Sequence, residues 1–413
     1  MRGMLVVGGG VLGFCTALAL QDRGLSVSLL DEGPSVRPAS WGNAGHIAVE
    51  QVEPLASPAT LFGVPARLLA RDDALSLPLR DVGHWLPFGV RLALASRPDR
   101  FAAGKLALKG LMADAMPAWE RLVAGLARPD LLIRDGHYVI WDTAGSAARG
   151  MRRLQAGDHG TARFRALEPG EGAALAALLG RVPAGAVRCV GSGHIAGHDL
   201  LFDAMRDRFL GRGGVLLRGR AAGLPVAGGR AVVALEGGGE LKPEGVIVAA
   251  GVASRTLMES VGHVVPMIAE RGYHLQAEVG TWPAGLPPLV FEDRALIVTR
   301  FRDYLRASSF VEFSHQDSPP DAGKWERLRG RIRDLSLPFA LPGAEWVGCR
   351  PTLPDYLPAI GRSGMAANLL YAFGHQHLGL TLGPVTAEIV AGLATGQGRG
   401  PGAFSVERFG ATA

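Results

Sequence analysis

The stretch LVVGGGVLG at residues 5–13 constrains this chain more than any other, because an apolar strand runs straight into a G-x-G-x-x-G turn. The flanks decide what such a turn is for. Leu5, Val6 and Val7 read as a buried strand, and Val11, Leu12, Cys15, Leu18 and Ala19 recur at helical spacing until Arg23 and Gly24 stop the helix. A second strand at residues 25–30 ends in Asp31, with Glu32 beside it. Strand, glycine turn, helix, strand and terminal acid, in that order, make a dinucleotide-binding βαβ unit. Gly8 permits the turn, Gly10 lets the backbone approach a pyrophosphate, and Gly13 lets the helix approach the strand, while the acid accepts from a ribose.

Which dinucleotide is bound depends on the rest of the chain. The loop ASWGNAGHI at residues 39–47 is poor as helix or strand and offers backbone amides, Ser40 and Asn43 to a long ligand. GVIVAAG at residues 245–251 reads as a further buried parallel strand. Near the C-terminus, Gly374 and Gly379 precede a helix with apolar residues at Leu382, Val385, Ile389, Val390 and Leu393. A second glycine-led helix start suits a ligand that needs a positive helix end at both extremities, since a reduced flavin carries negative charge at its pyrimidine edge. FAD is the cofactor this favours, and a plain NAD dehydrogenase leaves the late turn unexplained.

These residues, together with LLDEG, GCRPTLPDYLPAIG, WLPFGVRLALASRPDRF, ERGYHL and YLRASSFVEF, resemble the FAD-dependent D-amino-acid dehydrogenase branch of the D-amino-acid oxidase superfamily. The resemblance implies an α/β protein: a Rossmann-type, glutathione-reductase-like FAD domain with a discontinuous α+β substrate domain. The FAD domain would take residues 1–60, 160–262 and 340–413, and the substrate domain residues 61–159 and 263–339. The family's cofactor contacts carry over to Gly8, Gly10, Val11, Leu12, Gly13, Asp31, Glu32, Ser40, Asn43, Ala44, Gly45, Gly251, Gly379, Leu380 and Thr381. Ala222 falls near the position of a backbone contact to adenine, and Gly374 opens the late turn. No metal is expected.

Oxidation of an amine asks little covalent chemistry of the protein, so the absence of a Ser/His/Asp or paired-carboxylate pattern does not count against an enzyme. An α-carboxylate is best held by a planar cation. The resemblance puts that role on Arg350, against the alternative of a salt bridge at a domain joint, with Arg306 as a second candidate. Tyr273 offers a hydroxyl or a ring, or is a half-buried strand tyrosine. His46, His274 and His377 are pocket candidates or polar loop caps. The HQH sequence at residues 375–377 departs from the relatives, which turns the implied substrate from D-alanine toward cyclic imino acids such as D-hydroxyproline. Cys349 lies one residue from the cysteine to which sarcosine-oxidase-like relatives attach flavin, or is a small buried hydrophobe.

Composition bounds the partners. The net charge of +5 comes from arginines spread along 413 residues, without the basic runs of a nucleic-acid binder. Three unpaired-looking cysteines and no run of about 18 apolar residues point to a reducing, cytoplasmic setting, peripheral to the inner membrane face at most. In residues 79–126, Arg91, Arg97, Arg100, Lys105 and Lys109 lie among Trp85, Leu86, Phe88 and Leu92. That pattern fits a helical cap with a solvated basic face, or a surface that meets anionic lipid on the way to a quinone or electron-transfer protein.

Overall fold

The computed structural model describes residues 3–33, 37–58, 60, 74–398, 400 and 402–411. The first part of the LARDDALSLPL stretch, up to residue 73, therefore lies outside the described residues.

Five parallel strands form the nucleotide sheet in the order Val215–Arg218, Val27–Asp31, Met4–Val7, Gly245–Val248 and Leu369–Phe373, and Ala359–Arg362 adds an antiparallel edge. Both faces are covered, so its central strands are apolar at every position: Leu5, Val6 and Val7 are all at most 4% exposed. Val6 packs with the helices Val11–Asp22 and Gly379–Ala394, whereas Leu5 and Val7 face Leu224, Met258 and Val265 on the other side. The helix Val11–Asp22 approaches its strand so closely that a Cβ at Gly13 would lie 1.8 Å from the Gly8 carbonyl oxygen. Gly8 itself has φ +110°, open to glycine at little cost.

The helix segment Gln376–Ala394 is long and apolar enough to cross a bilayer, contrary to the expectation from sequence, but 72% of it is buried within the protein. It is a core helix beside Val11–Asp22. Trp119, fully buried, donates its indole N–H to the carbonyls of Leu380 (3.1 Å) and Thr381 (3.2 Å) in the helix's first turn.

The second sheet has nine strands, running Ala344–Thr352, Ile268–Glu278, Tyr304–Ser314, Leu296–Arg300, Leu289–Phe291, His137–Trp141, Gly185–Val190 and Arg163–Ala166, with Leu75–Ser76 paired to Tyr304–Ser314. Strand pairing thus assigns Arg163–Ala166, Gly185–Val190 and Ala344–Thr352 to this sheet and not to the nucleotide domain, where the boundaries at 160 and 340 had put them. The first eight residues of Ile268–Glu278 are all buried. One face meets the cleft and the other is covered by the helix Ala322–Asp334, so no face is left for water.

A small third sheet joins His46–Ile47, Gly193–Ile195 and Leu132–Ile133, and registers His46 opposite His194.

Candidate active site

A cleft of about 1580 Å³ runs from the glycine turn to the second sheet. That exceeds the roughly 300–1,000 Å³ of a small-ligand pocket and suits a dinucleotide with a substrate beside it. One end is lined by Gly8, Gly10, Val11, Leu12, Asp31 and Glu32, joined by Gly251. Asp31 accepts from the Gly9 N–H (2.8 Å) and the Gly33 N–H (2.9 Å), one bond to each oxygen, which leaves lone pairs for a ribose hydroxyl. Glu32 leans toward Arg220 (3.8 Å). A Cβ at Gly10 would meet nothing closer than 3.5 Å, so the cradle at this helix start is open toward a ligand, and Ser40 Oγ accepts from the Val11 N–H at 3.1 Å. No acidic side chain occupies the first turn of either helix that begins at the cleft.

Several of the expected contact residues play a different part. Ala221, not Ala222, lines the cleft. Thr381 is buried and does not line it; its hydroxyl accepts from the Ala48 N–H at 3.0 Å and so fixes the chain just beyond the loop of residues 39–47, called the NAG loop after its residues 43–45. Gly374, Gly379 and Leu380 do border the cleft, as do Asn43 and Ala44.

The NAG loop is held from the second sheet by two residues expected to meet substrate. Arg306, fully buried, donates Nη1 to the carbonyls of Trp41 and Asn43, each at 2.7 Å, and Nη2 to Gln276 Oε1 at 2.8 Å. Burial lowers its pKa to about 10, so it stays charged at neutral pH. His274 donates Nδ1–H to the Gly42 carbonyl (3.1 Å) and stacks on Trp346 with 4.9 Å between ring centroids. Three consecutive carbonyls are thereby turned toward the sheet. Within the loop, the Gly45 N–H donates to Asn43 Oδ1 at 2.8 Å, and Thr299 donates to the Ala44 carbonyl at 2.8 Å. Arg306 and His274 thus hold the loop in position, and neither borders the cleft.

Tyr273 borders the cleft, but its hydroxyl is already engaged. Its hydroxyl donates to Glu312 Oε1 (3.1 Å) and accepts from Arg271 Nη2 (3.3 Å) and the Asp321 N–H (3.2 Å), while its ring packs on Trp325 and Phe310. The side chains of Arg271 and Tyr273 meet Glu312 and Trp325 beside the helix Ala322–Asp334, while Glu270, Gly272 and Tyr273 border the cleft. Burial pushes the Tyr273 phenol up to about 12.

Arg350 lines the cleft. Its Nη1 donates to Glu270 Oε1 (3.1 Å) and to the Phe310 carbonyl (3.2 Å), so the salt-bridge alternative is real. Glu270 in turn accepts from Thr352 and Tyr356, each at 3.1 Å. Nη2 and Nε have no hydrogen-bond partner among the described residues, and the side chain remains 26% exposed at the cleft. Nη2 lies across Gly272, where a Cβ would come within 2.2 Å of it. One corner of the fork is anchored and the other edge is open. His377 lies close enough to feel both Arg350 and Glu270; burial lowers it to about 4, and its Nε2 bonds Gln51 Oε1 at 2.6 Å.

Cys349 alternates with Gly348 and Arg350, and its thiol contacts the Gln316 carbonyl (3.8 Å) on the face shared with Arg271 and Glu312. Cys349 is only half-buried and, like Gln316, borders the cleft.

The model of the FAD-dependent oxidoreductase family, DAO, matches residues 4–393. This chain belongs to that family. The oxidoreductase is 28% identical over 412 residues to a D-amino-acid oxidase of Bradyrhizobium diazoefficiens, covering 96% of each chain. It is 30% identical over 408 residues to D-amino acid dehydrogenase 2 of Pseudomonas aeruginosa, covering 94% of this chain and 93% of the relative. Its fold is similar to that of glycine oxidase from Geobacillus kaustophilus, with a TM-score of 0.70 at 20% identity, covering 99% of this chain and 98% of the other. The residues at the cleft fit the cofactor of the family: an open helix start, a ribose-side carboxylate and a fixed loop of backbone amides.

Sequence reasoning missed several residues of the oxidoreductase's cleft. Glu270, which orients Arg350, sits in AERGYHL with no local signal beyond its even-numbered register with His274. Gln51 and Trp346 are brought in by tertiary packing alone. His46 lines the cleft but turns toward His137 (ring centroids 4.4 Å apart) and Glu50 instead of Arg350. Burial pushes the Glu50 carboxyl up to about 7 and His137 down to about 4, and holds His46 well below its ordinary value.

Proposed function

We propose that this protein oxidises the α-carbon of a D-amino acid or a cyclic D-imino acid such as D-hydroxyproline, and passes the electrons to a quinone or another acceptor that is not oxygen. The observation that carries this reading is the open edge of the Arg350 fork at the cleft. A planar guanidinium anchored at one corner by a buried carboxylate can give two parallel N–H bonds to an α-carboxylate without turning. The relatives named as D-amino-acid oxidase and dehydrogenase support the substrate class and its handedness.

When bound, FAD supplies the electron-pair sink that removal of the α-hydrogen as hydride requires. Arg350 holds the carboxylate, and Glu270 keeps the guanidinium from rotating away. His377 remains neutral at physiological pH, its Nε2–H donated to Gln51, so it adds no charge beside Arg350. The substrate reacts as the neutral amine, its ammonium proton released to solvent, and the nitrogen lone pair becomes part of the C=N bond as the hydride departs. Water then hydrolyses the released imine to a keto acid and ammonia; a cyclic imino acid gives a cyclic imine. Trp346, stacked on His274, borders the same cleft.

Anaerobic mixing of the yellow protein with D-, L- and N-methyl amino acids, D-proline and D-hydroxyproline tests this. The D-acids should bleach the flavin and the L-acids should leave it oxidised; bleaching by D-alanine with none by the D-proline derivatives would remove the cyclic part of the reading. Likeness to D-amino-acid oxidase and glycine oxidase favours a second reading, an oxidase of the glycine or sarcosine type that uses oxygen. Stoichiometric peroxide in air would select it.

The acceptor reading draws support from the helix Val82–Ala95. Lys105 and Lys109 pair with Glu53 (2.6 Å) and Asp158 (2.8 Å), and Phe88 and Leu92 are buried, so the surface is not the one composition alone implies. Instead Val82, Leu86, Val90 and Leu94, every fourth residue, are 42–55% exposed, with Leu79 at 85%. Arg80, Arg91, Arg97 and Arg100 flank that stripe. An apolar row edged by arginines fits an anionic bilayer surface, where a quinone is found. The protein should co-sediment with vesicles containing phosphatidylglycerol and not with pure phosphatidylcholine, and Leu86→Glu with Val90→Glu should abolish it. Equal recovery in the supernatant with both vesicle types would end the membrane reading.

A further inference from the structure

Just beyond the NAG loop lies a buried polar cluster that amine oxidation does not use. We propose that His46, Glu50 and His137 form a binding site for a divalent first-row transition-metal ion, with zinc as its simplest occupant. One ligand atom from each residue lies within 4.8 Å of the other two. His46 Nε2 and Glu50 Oε1 are 3.9 Å apart, too far for a hydrogen bond but within the span of two atoms each about 2.1 Å from a shared ion.

The second observation is the want of partners. The side chains of His46 and Glu50 are 7% and 10% exposed, yet His46 Nε2 and Glu50 Oε2 have no hydrogen-bond partner among the described residues. Leaving two such atoms unpaired in one buried spot is costly, and an ion relieves both at once. His137 is already fixed as a ligand could be, because its Nδ1 bonds Ser192 Oγ at 2.9 Å, which leaves Nε2 as the ring nitrogen free to bind an ion. His194 stands opposite His46 across the ladder, its Nδ1 3.1 Å from Asp135 Oδ1, so a further carboxylate is near. Two imidazoles and a carboxylate select zinc or iron(II)-like ions over calcium or magnesium, which require oxygen shells. His46 and Glu50 both line the cleft, which gives the ion a way in.

The test is equilibrium dialysis of chelator-treated, FAD-loaded protein against graded zinc chloride, with bound zinc read by emission spectrometry. Saturable uptake of one zinc per chain is expected in the wild type, and Glu50→Gln and His137→Gln should each weaken it about 100-fold or more. Absence of saturable uptake, or uptake that both variants leave unaltered, would overturn the proposal and assign the cluster to buried water. Because either variant could unfold, zinc-edge X-ray absorption of the wild type gives an independent answer. A shell of nitrogen and oxygen with imidazole scattering is expected; a sulfur neighbour, which Cys189 would supply, would refute the site.

Discussion

Arg350→Ala is expected to lower the second-order rate constant for flavin reduction by a D-amino acid about 100- to 10,000-fold. Two hydrogen bonds to a charged carboxylate contribute about 1.5–3 kcal/mol each, and each ~1.4 kcal/mol is tenfold. Arg350 also pairs with buried Glu270, so the alanine variant mixes lost binding with a disturbed pocket. Arg350→Lys separates the two. Lysine keeps a positive charge beside Glu270, whose other oxygen retains Thr352 and Tyr356, but loses the fork. The lysine variant should therefore retain its flavin spectrum and show a large rise in the substrate concentration needed for half-maximal reduction, with a smaller change in the limiting rate. Stopped-flow absorbance under anaerobic conditions reads both; an unaltered half-saturation would remove Arg350 from the substrate site.

The second large effect concerns the opposite face of the same sheet. Glu312, 0% exposed, accepts from Lys324 and from Tyr273, with Arg271 Nε at 3.3 Å; Lys324 and Arg271 are each 1% exposed. Removing the one carboxylate between two buried cations leaves charge without compensation, which costs about 3–5 kcal/mol. Asp321, 3.2 Å from Lys324 but 45% exposed, offsets only part of that. Glu312→Gln should shift the urea midpoint of unfolding down by the equivalent of that energy. Adding Lys324→Met, which deletes the orphaned cation, should recover a portion. A midpoint equal to the wild type in the single variant would show that the network adds nothing. Since this network faces away from the cleft, substrate half-saturation in folded Glu312→Gln should stay near that of the wild type, in contrast to Arg350→Lys.

Much of the nucleotide end was legible because its determinants are local. Gly8, Gly13, the apolar run at Leu5 to Val7 and the acid at Asp31 lie within one βαβ unit, where spacing along the chain fixes position in space. Arg350 could be found for a related reason: its motif has a fixed register against Pro351 and Asp355. Tyr273, His274 and Arg306 lie in the expected sheet, but the hydrogen bonds that each makes there could not be read from the chain. Strand alternation says that Tyr273 and His274 face opposite ways, not which partners each meets, and that depends on where the helix Ala322–Asp334 packs.

The nucleotide fold, the family and the place of Arg350 at the cleft were set by chain order alone, since each rests on residues close together in the chain or on a glycine that only one backbone conformation or close contact explains. The tertiary structure alone decided that Arg306 and His274 hold the NAG loop, that Glu270 orients Arg350, and that His46, Glu50 and His137 converge. The physical reason is that a buried polar atom must find its partner across the core, and His137 is some ninety residues from His46, so no pattern along the chain records that meeting.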